Sequence, residues 1–291
     1  MSNIQTVSYR ITRLMIVDYR DRLRQSLPSQ TLRTHILMTI PTYSYDQFNP
    51  RQYLDEYYAN FPPENLALLQ FLIDSFAAVP PDALALDFGS GPTLFSPIAG
   101  AHRVREMHLC EYLPANRAEL ERWLCAEPDA FDWQPTIRTA LAMGGFDDTL
   151  TTLELHGKTV RERVKQVMPC NLLHDFPLEN TDLRGTYDVL VSNLCAEAVA
   201  PDIQTWNRHI AKFADLLKPG GLLIMTTVKQ SRAYSVGEHN FSVLPLTERD
   251  VIAGLGAAGF RPDSIVIDQT SATHSIHPYD GLIFATARKP S

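Results

Sequence analysis

Short apolar runs alternate with amphipathic segments along this chain from Gln47 onward. The apolar runs predict strands over residues 83–87, 107–111, 168–172, 187–192 and 222–227, with closing strands over 264–268 and 282–288. Apolar positions at helical spacing predict helices over residues 66–76, 117–124, 160–167, 202–217 and 247–258. This alternation is typical of an α/β fold, here a mostly parallel seven-stranded sheet with helices on both faces. The pattern shows no internal repeat and no second domain.

Residues 1–45 follow a different pattern, and we assign them to an N-terminal extension that precedes a folded domain of residues 46–291. Residues 11–27 have the spacing of an amphipathic helix, which Pro28 would end. The segment that follows is rich in Thr, Ser and Pro and has no clear period. Three interpretations stay open: a lid or dimerisation arm, a disordered tail, and a sequence upstream of a true start at Met38.

The sequence DFGSGPT at residues 87–93 predicts a turn with almost no side chains directly after the first strand. Glu111 closes the second predicted strand, 20 residues after Gly91. In doubly wound sheets, such glycines let backbone amides approach a nucleoside, and the acid accepts hydrogen bonds from ribose hydroxyls. A phosphate-binding loop would keep a third glycine and open a helix onto pyrophosphate, whereas Pro92 and Thr93 stand here. A nucleoside without phosphates, such as S-adenosylmethionine, fits this turn better.

The composition is that of an ordinary globular protein, with 291 residues, 45% hydrophobic positions and a formal net charge of −7. The chain has no dense Lys/Arg run, which argues against a nucleic-acid partner. No apolar stretch approaches the roughly 18 residues of a membrane span, and no signal peptide opens the chain. We therefore expect a cytoplasmic protein without a membrane partner, as a monomer or a homodimer.

The sequence gives no good candidate for a metal site. Its four cysteines have no CxxC spacing and lie mostly in apolar segments, which favours buried free thiols in a reducing cytosol. His274, His277 and Asp280 cluster before the last predicted strand. A metal site there would need a fourth partner, so we expect an ordinary loop and no metal.

Five sequence blocks follow one another in order: FNPRQYLDEYY at 48–58, DFGSGPT at 87–93, EPDAFDW at 127–133, CAEAVAPD at 195–202 and GEHNF at 237–241. In this order and spacing they resemble the nicotinamide, phenylethanolamine, thioether and indolethylamine methyltransferase family, over residues 47–289. The string LKPGG at 217–221, followed by an apolar strand, is common in class I methyltransferases. The resemblance implies a Rossmann-like class I methyltransferase with an N-terminal helical lid, which uses S-adenosylmethionine to methylate a small molecule.

The resemblance also implies which residues contact S-adenosylmethionine. Tyr53 and Tyr58 would come from the lid helix and bond the methionine carboxylate, with core packing as their alternative role. Asn171 would meet adenine, although the family usually has aspartate at this position. The other expected contacts lie in the turn, after the strands and at the reacting centre. The complete set is Tyr53, Tyr58, Gly89, Ser90, Gly91, Thr93, Glu111, Tyr112, Asn116, Asn171, Leu172 and Asn193.

Methyl transfer from a sulfonium asks little of the protein beyond positioning and desolvation, and a base is needed only when the acceptor must lose a proton. Glu197 directly follows the fourth predicted strand, where the resembling amine methyltransferases carry an acid, and it is our candidate base. Its alternative role is that of a solvated acid at a helix start. Tyr57, Glu197 and His239 could form a relay that deprotonates an indole N–H, with a surface or packing role as the alternative for His239.

One departure from the family pattern concerns the methyl acceptor. At the end of the fifth strand the family often has an acid that holds an amine or carboxamide, whereas this chain has Thr226 and Thr227. With Tyr234, Thr226 is an expected substrate contact, and the lost carboxylate favours a neutral acceptor.

We therefore expect methyl transfer to a nitrogen or nucleophilic carbon of a small aromatic amine or indole-type metabolite. Nucleic-acid or protein methylation is disfavoured because no Asn-Pro-Pro-Tyr-like tetrad follows the fourth strand. The alternatives are N-methylation of a pyridine or a simple aliphatic amine, and a non-catalytic binding protein that retains the fold.

Overall fold

A computed structural model of the chain describes residues 44–272 and 278–291. Its helices are α1 (Pro50–Tyr57), α2 (Pro63–Ala77), α3 (Phe95–Gly100), α4 (Pro114–Leu124), α5 (Gln134–Met143), α6 (Leu150–Arg163), α7 (Ile203–Leu216) and α8 (Glu248–Ala257). Its strands are β1 (Ala83–Phe88), β2 (Val104–Glu111), β3 (Val164–Pro169), β4 (Tyr187–Asn193), β5 (Leu217–Val228), β6 (Ala233–Val236), β7 (His239–Ser242), β8 (Val266–Thr270) and β9 (Leu282–Arg288).

Seven strands form one sheet in the order β3-β2-β1-β4-β5-β9-β8, and β6 with β7 forms a separate hairpin. Strands β1 to β5 are parallel to one another, whereas β9 is antiparallel to both β5 and β8. The order of strands reverses between β1 and β4, and open α/β sheets bind ligands outside the carboxyl ends of the strands beside such a reversal. The residues that follow β1, β2, β4 and β5 therefore share one edge.

Successive strand residues pack on opposite faces of this sheet. On one face, Ala85, Val191 and Ile224 share a core with apolar residues of α1 to α6. On the other face, Trp206 and Phe213 of α7 pack into a second core together with residues of α8. The apolar spacing of residues 202–217 is thus core packing, as its period predicts.

The structure confirms the Rossmann-like class I architecture, with its mostly parallel seven-stranded sheet, helices on both faces and a short N-terminal helix. Two predicted elements are wrong. The helix predicted over residues 160–167 ends at Arg163, and the strand predicted over 168–172 is β3, which ends at Pro169. Val164 and Gln166 pair with β2, so the ladder outweighs helical spacing here. Pro169 lacks the N–H that would continue the ladder.

Several elements have no counterpart in the sequence pattern: α1, α3, α5 and the β6–β7 hairpin. α3 begins at Phe95, so the turn at 87–93 does lead into a short helix, contrary to the sequence-based expectation. The hairpin reverses at Gly237, whose φ of +57° favours glycine. Both α3 and the hairpin strands are too short for periodicity to reveal them.

Some sequence-based expectations fall on residues 1–43 or 273–277, outside the part of the chain that the structure describes. These concern the helix at 11–27, most of the proposed extension, and His274 with His277. Within the described residues, no helix combines the length and apolarity needed to cross a membrane. Of the four cysteines, Cys110 and Cys170 are buried and Cys195 is half-buried, but Cys125 is exposed, so its expected burial is wrong.

Candidate active site

The turn after β1 is held against β2 by its own backbone. The N–H groups of Gly89 and Ser90 both donate to the carbonyl of Cys110, at 2.9 and 3.2 Å. Gly89 has a φ of +68°, and a Cβ placed on it would lie 2.1 Å from Sγ of Cys195. Gly91 has a φ of +58° and open space where a Cβ would stand. Glycine at 89 is thus required by the close approach of Cys195, and Gly91, which is half-buried, leaves open space beside its backbone.

Ser90 and Thr93 serve the turn in this structure. The Thr93 hydroxyl donates to the Ser90 carbonyl at 2.9 Å, and the Ser90 side chain is almost fully buried. Their expected hydroxyl contacts with a ligand stay predictions.

Glu111 stands at the end of β2 with its carboxylate turned back toward the turn. It accepts hydrogen bonds from the N–H of Gly91 at 3.0 Å, the N–H of Leu113 at 2.9 Å and the amide of Asn116 at 3.0 Å. Burial raises the pKa of Glu111, and these donors act against that rise. A carboxylate so placed can accept from a vicinal diol, as the sequence-based assignment to ribose requires.

Asp87, near the end of β1 and first in the DFGSGPT string, is not among the sequence-predicted site residues. It is 2% exposed, and burial raises the pKa of its carboxyl to about 7. The hydroxyl of Ser96 bonds Asp87, and the amide of Asn193 donates to that hydroxyl at 3.2 Å. No basic side chain of the described residues bonds this carboxyl, so a cationic ligand group beside it would restore its ordinary pKa. Its position inside the DFGSGPT string was the available signal.

Alternation along the strands places four polar residues on one side of the edge. Asp87 follows Ala85 by two residues, Asn193 follows Val191, and Thr226 follows Ile224, so all three continue the face that carries the core of α1 to α6. By the same count Glu111 continues the face of Leu109. The sheet therefore presents Asp87, Glu111, Asn193 and Thr226 together.

Several polar atoms on this side are buried without a hydrogen-bond partner among the described residues. They are Oδ1 of Asn116, Oδ1 of Asn193 and Oγ1 of Thr226. Buried polar atoms in native proteins are nearly always bonded, so these three favour a ligand that supplies donors and acceptors here.

A cavity of about 170 Å³ opens where β2 and β3 end. Tyr112, Cys170 and Asn171 line it, and Tyr112 is 57% exposed. Leu172 is buried beside them, and Oδ1 of Asn171 accepts the N–H of Leu173 at 2.9 Å. Tyr112 and Asn171 are both expected cofactor contacts, and the resemblance places Asn171, together with Leu172, against adenine.

Helix α1 and its C-cap carry the two tyrosines that the resemblance assigns to a lid, Tyr53 and Tyr58. Asn49 caps its first turn by accepting the N–H of Gln52, and Pro50 pre-sets the helical φ. The hydroxyls of Tyr53 and Tyr58 lie 3.3 Å apart. Burial raises the pKa of Tyr53, and raises that of Tyr58 to about 12, so both phenols stay protonated at neutral pH and can donate. The structure thus brings the two predicted lid residues together.

Glu197 follows β4 after a residue in the left-handed region, Leu194 (φ +55°). Its side chain is 2% exposed and Oε1 accepts the N–H of Val228 at 3.0 Å. Burial raises the pKa of Glu197 to about 7. The alternative interpretation from the sequence was a solvent-exposed acid at the start of a helix. The burial of Glu197 excludes that interpretation.

The three proposed relay residues contact different partners. The Tyr57 hydroxyl donates to the carbonyl of Ser235 at 2.8 Å, and the Glu197 carboxylate accepts from Val228. His239 lies on β7, opposite Val236 of β6. Burial raises the pKa of Tyr57 to about 12, so it acts as a neutral donor. The relay itself stays a prediction.

An aromatic cluster forms around Phe241, and only Tyr234 of this cluster is among the sequence-predicted site residues. Phe241 stacks on Tyr45 with ring centroids 5.4 Å apart and on Tyr234 at 5.3 Å, and Phe48 meets it edge-on at 5.6 Å. The Tyr45 hydroxyl donates to the carbonyl of Ala198 at 3.0 Å, next to Glu197. Tyr45, Phe48 and Phe241 were missed because their segments come together only in the fold.

The model of the NNMT/PNMT/TEMT family matches residues 36–290 of this chain. Nicotinamide N-methyltransferase of Homo sapiens is 33% identical over 251 residues, which are 84% of this chain and 94% of that enzyme. Indolethylamine N-methyltransferase of Oryctolagus cuniculus is 30% identical over 83% of this chain and 93% of that enzyme. Phenylethanolamine N-methyltransferase of Homo sapiens is 30% identical over 84% of this chain and 90% of that enzyme.

Two solved structures have a similar fold. An S-adenosylmethionine-dependent methyltransferase from Methanosarcina mazei gives a TM-score of 0.52 at 14% identity, over 75% of this chain and 97% of that one. Another from Clostridium acetobutylicum gives a TM-score of 0.51 at 10% identity, over 83% of this chain and 98% of that one. At these identities the likeness shows the fold alone. Because the family match spans nearly the whole chain, the protein belongs to the NNMT/PNMT/TEMT family and is an S-adenosylmethionine-dependent methyltransferase.

Proposed function

We propose that this enzyme methylates a nitrogen or a nucleophilic carbon of a small aromatic amine or indole-type metabolite. One observation carries the proposal. The acceptor side is walled by aromatic rings and holds one buried carboxyl, Glu197, while Thr226 offers an unpaired hydroxyl at the end of β5. Such a wall suits a flat, electron-rich ring, and a buried carboxyl that can take up a proton suits an acceptor with one proton to lose.

The edge residues fit S-adenosylmethionine. Glu111 and Asn116 would hold the ribose, and Tyr112, Asn171 and Leu172 would enclose adenine. When bound, S-adenosylmethionine supplies a methyl on a positively charged sulfur, which makes the methyl an electrophile. The protein would use no metal in the transfer.

The methionine end would meet residues of the turn and the lid. Asp87 would hold the ammonium, because an ionised carboxyl in a buried place is stabilised by a cation. Tyr53 and Tyr58 would donate to the carboxylate. Asn193, between this end and Thr226 in the register of β4 with β5, would face the reacting atoms.

Glu197 would act as the general base. A pKa of about 7 places its carboxyl near the point where it is ionised often enough and still basic enough to take a proton at neutral pH. The N–H of Val228 steadies the ionised form at 3.0 Å. Tyr57 and Tyr234 would orient the acceptor ring, and His239 would carry the proton onward.

The acceptor is decided by a product assay. Tryptamine, phenylethylamine and nicotinamide are each incubated with S-adenosylmethionine, and the new methyl is located by NMR. We expect turnover of the indole compound above that of the others. Failure of all aromatic acceptors, with S-adenosylhomocysteine still binding in calorimetry, would refute the acceptor class and leave the cofactor assignment standing.

N-methylation of a pyridine is the second candidate. It is supported by the 33% identity to nicotinamide N-methyltransferase. Against it stands Thr226, in place of the acid that the family often has at the end of this strand.

We also propose that the enzyme works in the cytoplasm on free small molecules, without nucleic acid or membrane, as a monomer or homodimer.

A further inference from the structure

The block EPDAFDW at residues 127–133 has no part in the proposed reaction, although it is one of the five blocks that mark the family. It begins just after α4 and ends where α5 starts. Its hydrogen bonds and ring contacts reach α1 with the Tyr58 that follows it, and Phe95 just after the turn, which indicates a role in holding α1.

Arg51 joins the lid to this block. Its Nη2 donates to the backbone carbonyl of Asp129 at 2.7 Å and to Oε2 of Glu119 on α4 at 2.9 Å. The Glu119 side chain is only 5% exposed, and its other oxygen is bonded by Arg122. A buried carboxylate is tolerated when its oxygens are paired, and here one of its two partners comes from the lid.

Trp133 provides the apolar half of the same contact. It is 1% exposed and meets Tyr58 with ring centroids 5.8 Å apart. Phe95, at the start of α3 after the turn, lies 5.1 Å from Tyr58 and 6.0 Å from Trp133. Tyr58 is therefore held between the block and the segment that follows the turn.

Helix α1 needs such support. It has eight residues, and isolated helices of that length are unstable in water. Its only fully buried side chain is that of Leu54, while Tyr58 follows as the C-cap. The order of α1 therefore depends on contacts with the rest of the domain.

We propose that residues 127–133, together with Glu119, form a lid seat: the surface on which α1 rests so that Tyr53 and Tyr58 face the cofactor. Arg51 and Trp133 are then positioning residues. This inference rests on the proposed role of the two tyrosines in cofactor binding. It assigns the block to the stability of the closed lid and not to the chemical step.

The test uses Arg51→Gln in the full chain, which removes the charge and leaves Glu119 paired with Arg122. We expect the Kd for S-adenosylhomocysteine in calorimetry to rise about tenfold or more, as for loss of a hydrogen bond to a charged group. Amide hydrogen exchange of residues 50–58 should become faster and lose its response to the ligand. At saturating S-adenosylmethionine, kcat should stay within about threefold, since chemistry is not affected.

The matched control is Arg138→Gln on α5, which breaks an exposed ion pair between Arg138 and Asp148. It should change neither the Kd nor lid exchange. Arg51→Lys keeps the charge but not the guanidinium, so it should restore part of the affinity.

The outcomes separate the two levels of inference. Wild-type protein that binds no S-adenosylhomocysteine would refute the cofactor assignment. Tight wild-type binding with an unchanged Kd and unchanged lid exchange in Arg51→Gln would overturn the lid seat alone. Should Arg51→Gln not fold, Trp133→Phe and Arg51→Lys take its place under the same two measurements, and wild-type values in both variants would count against the proposal.

Discussion

The two halves of the strand edge are built in different ways. The half assigned to the cofactor comes from the turn after β1 and the end of β2, where Glu111 bonds the N–H of Gly91 directly. The half assigned to the acceptor is assembled from the start of α1, the loop after β4, the end of β5 and the β6–β7 hairpin. In this assignment, S-adenosylmethionine would be held by the ends of neighbouring strands. The methyl acceptor would be held by separate segments, which can change independently of one another.

The halves also differ in what their buried acids are for. Asp87 and Glu197 both have a pKa raised to about 7 by burial. Asp87 sits beside the turn, where a bound cation would lower its pKa again, whereas Glu197 stands among aromatic side chains. The first is suited to hold charge and the second to accept a proton. The following experiments test that division.

Glu197→Gln should have the largest effect. If Glu197 is the base, kcat with an acceptor that must lose a proton falls by about a hundredfold to ten-thousandfold. The Kd for S-adenosylhomocysteine should be unchanged, because Glu197 belongs to the acceptor half. Steady-state kinetics and calorimetry measure the two. Comparable turnover in the variant would remove Glu197 from the mechanism.

The pH dependence of stability in Glu197→Gln tests whether the pKa of Glu197 is raised. Since burial raises the pKa of Glu197 from 4.5 to about 7, its contribution to stability is complete below pH 4.5 and is lost as pH rises through 7. Gln cannot ionise. The free energy of unfolding of Glu197→Gln should therefore rise relative to that of the wild type as pH rises, by at most about 3 kcal/mol at pH 8. Ligand-free thermal unfolding at pH 5 and pH 8 measures the gap. An equal gap at both pH values would show that Glu197 titrates normally.

Glu111→Gln tests the cofactor half. Its neutral amide keeps one acceptor oxygen but loses the charge, so the Kd for S-adenosylhomocysteine should rise about tenfold to a hundredfold. The acceptor KM at saturating S-adenosylmethionine should change little. Parallel losses in both would indicate that the two halves are not independent.

Thr226→Asp should have the smallest effect and the most specific one. A carboxylate at the end of β5 favours an ammonium group, so kcat/KM should rise about tenfold for phenylethylamine relative to a neutral indole. The control is Thr226→Asn, which has nearly the size and shape of Asp but carries no charge. A preference that does not move with Thr226→Asp would mean that this residue does not contact the acceptor.

Much of the fold follows from local pattern, and its errors have physical causes. Alternation of apolar runs and helical periods gave the sheet and its main helices, because burial of a strand or helix face fixes that period. The end of α6 was misplaced because residues 164–167 bond to β2, a contact between positions far apart in sequence. Of the site, the lid tyrosines, the turn, Glu111 and Glu197 could be named from motifs. The Tyr45–Phe48–Phe241 wall could not, since its segments converge only in the fold. Asp87 stands inside the DFGSGPT string, but only its burial distinguishes it as a site residue.

By itself, the sequence determined that this chain folds as an α/β domain with a glycine turn after its first strand and an acid after its second. These features are local: a period, a glycine-rich string at residues 87–93, and a fixed spacing to Glu111. Only the tertiary structure decided which acids lose water, which aromatic rings meet and how α1 is held by Arg51 and Trp133. Desolvation and long-range contact depend on what the rest of the chain brings alongside, and no single segment encodes that.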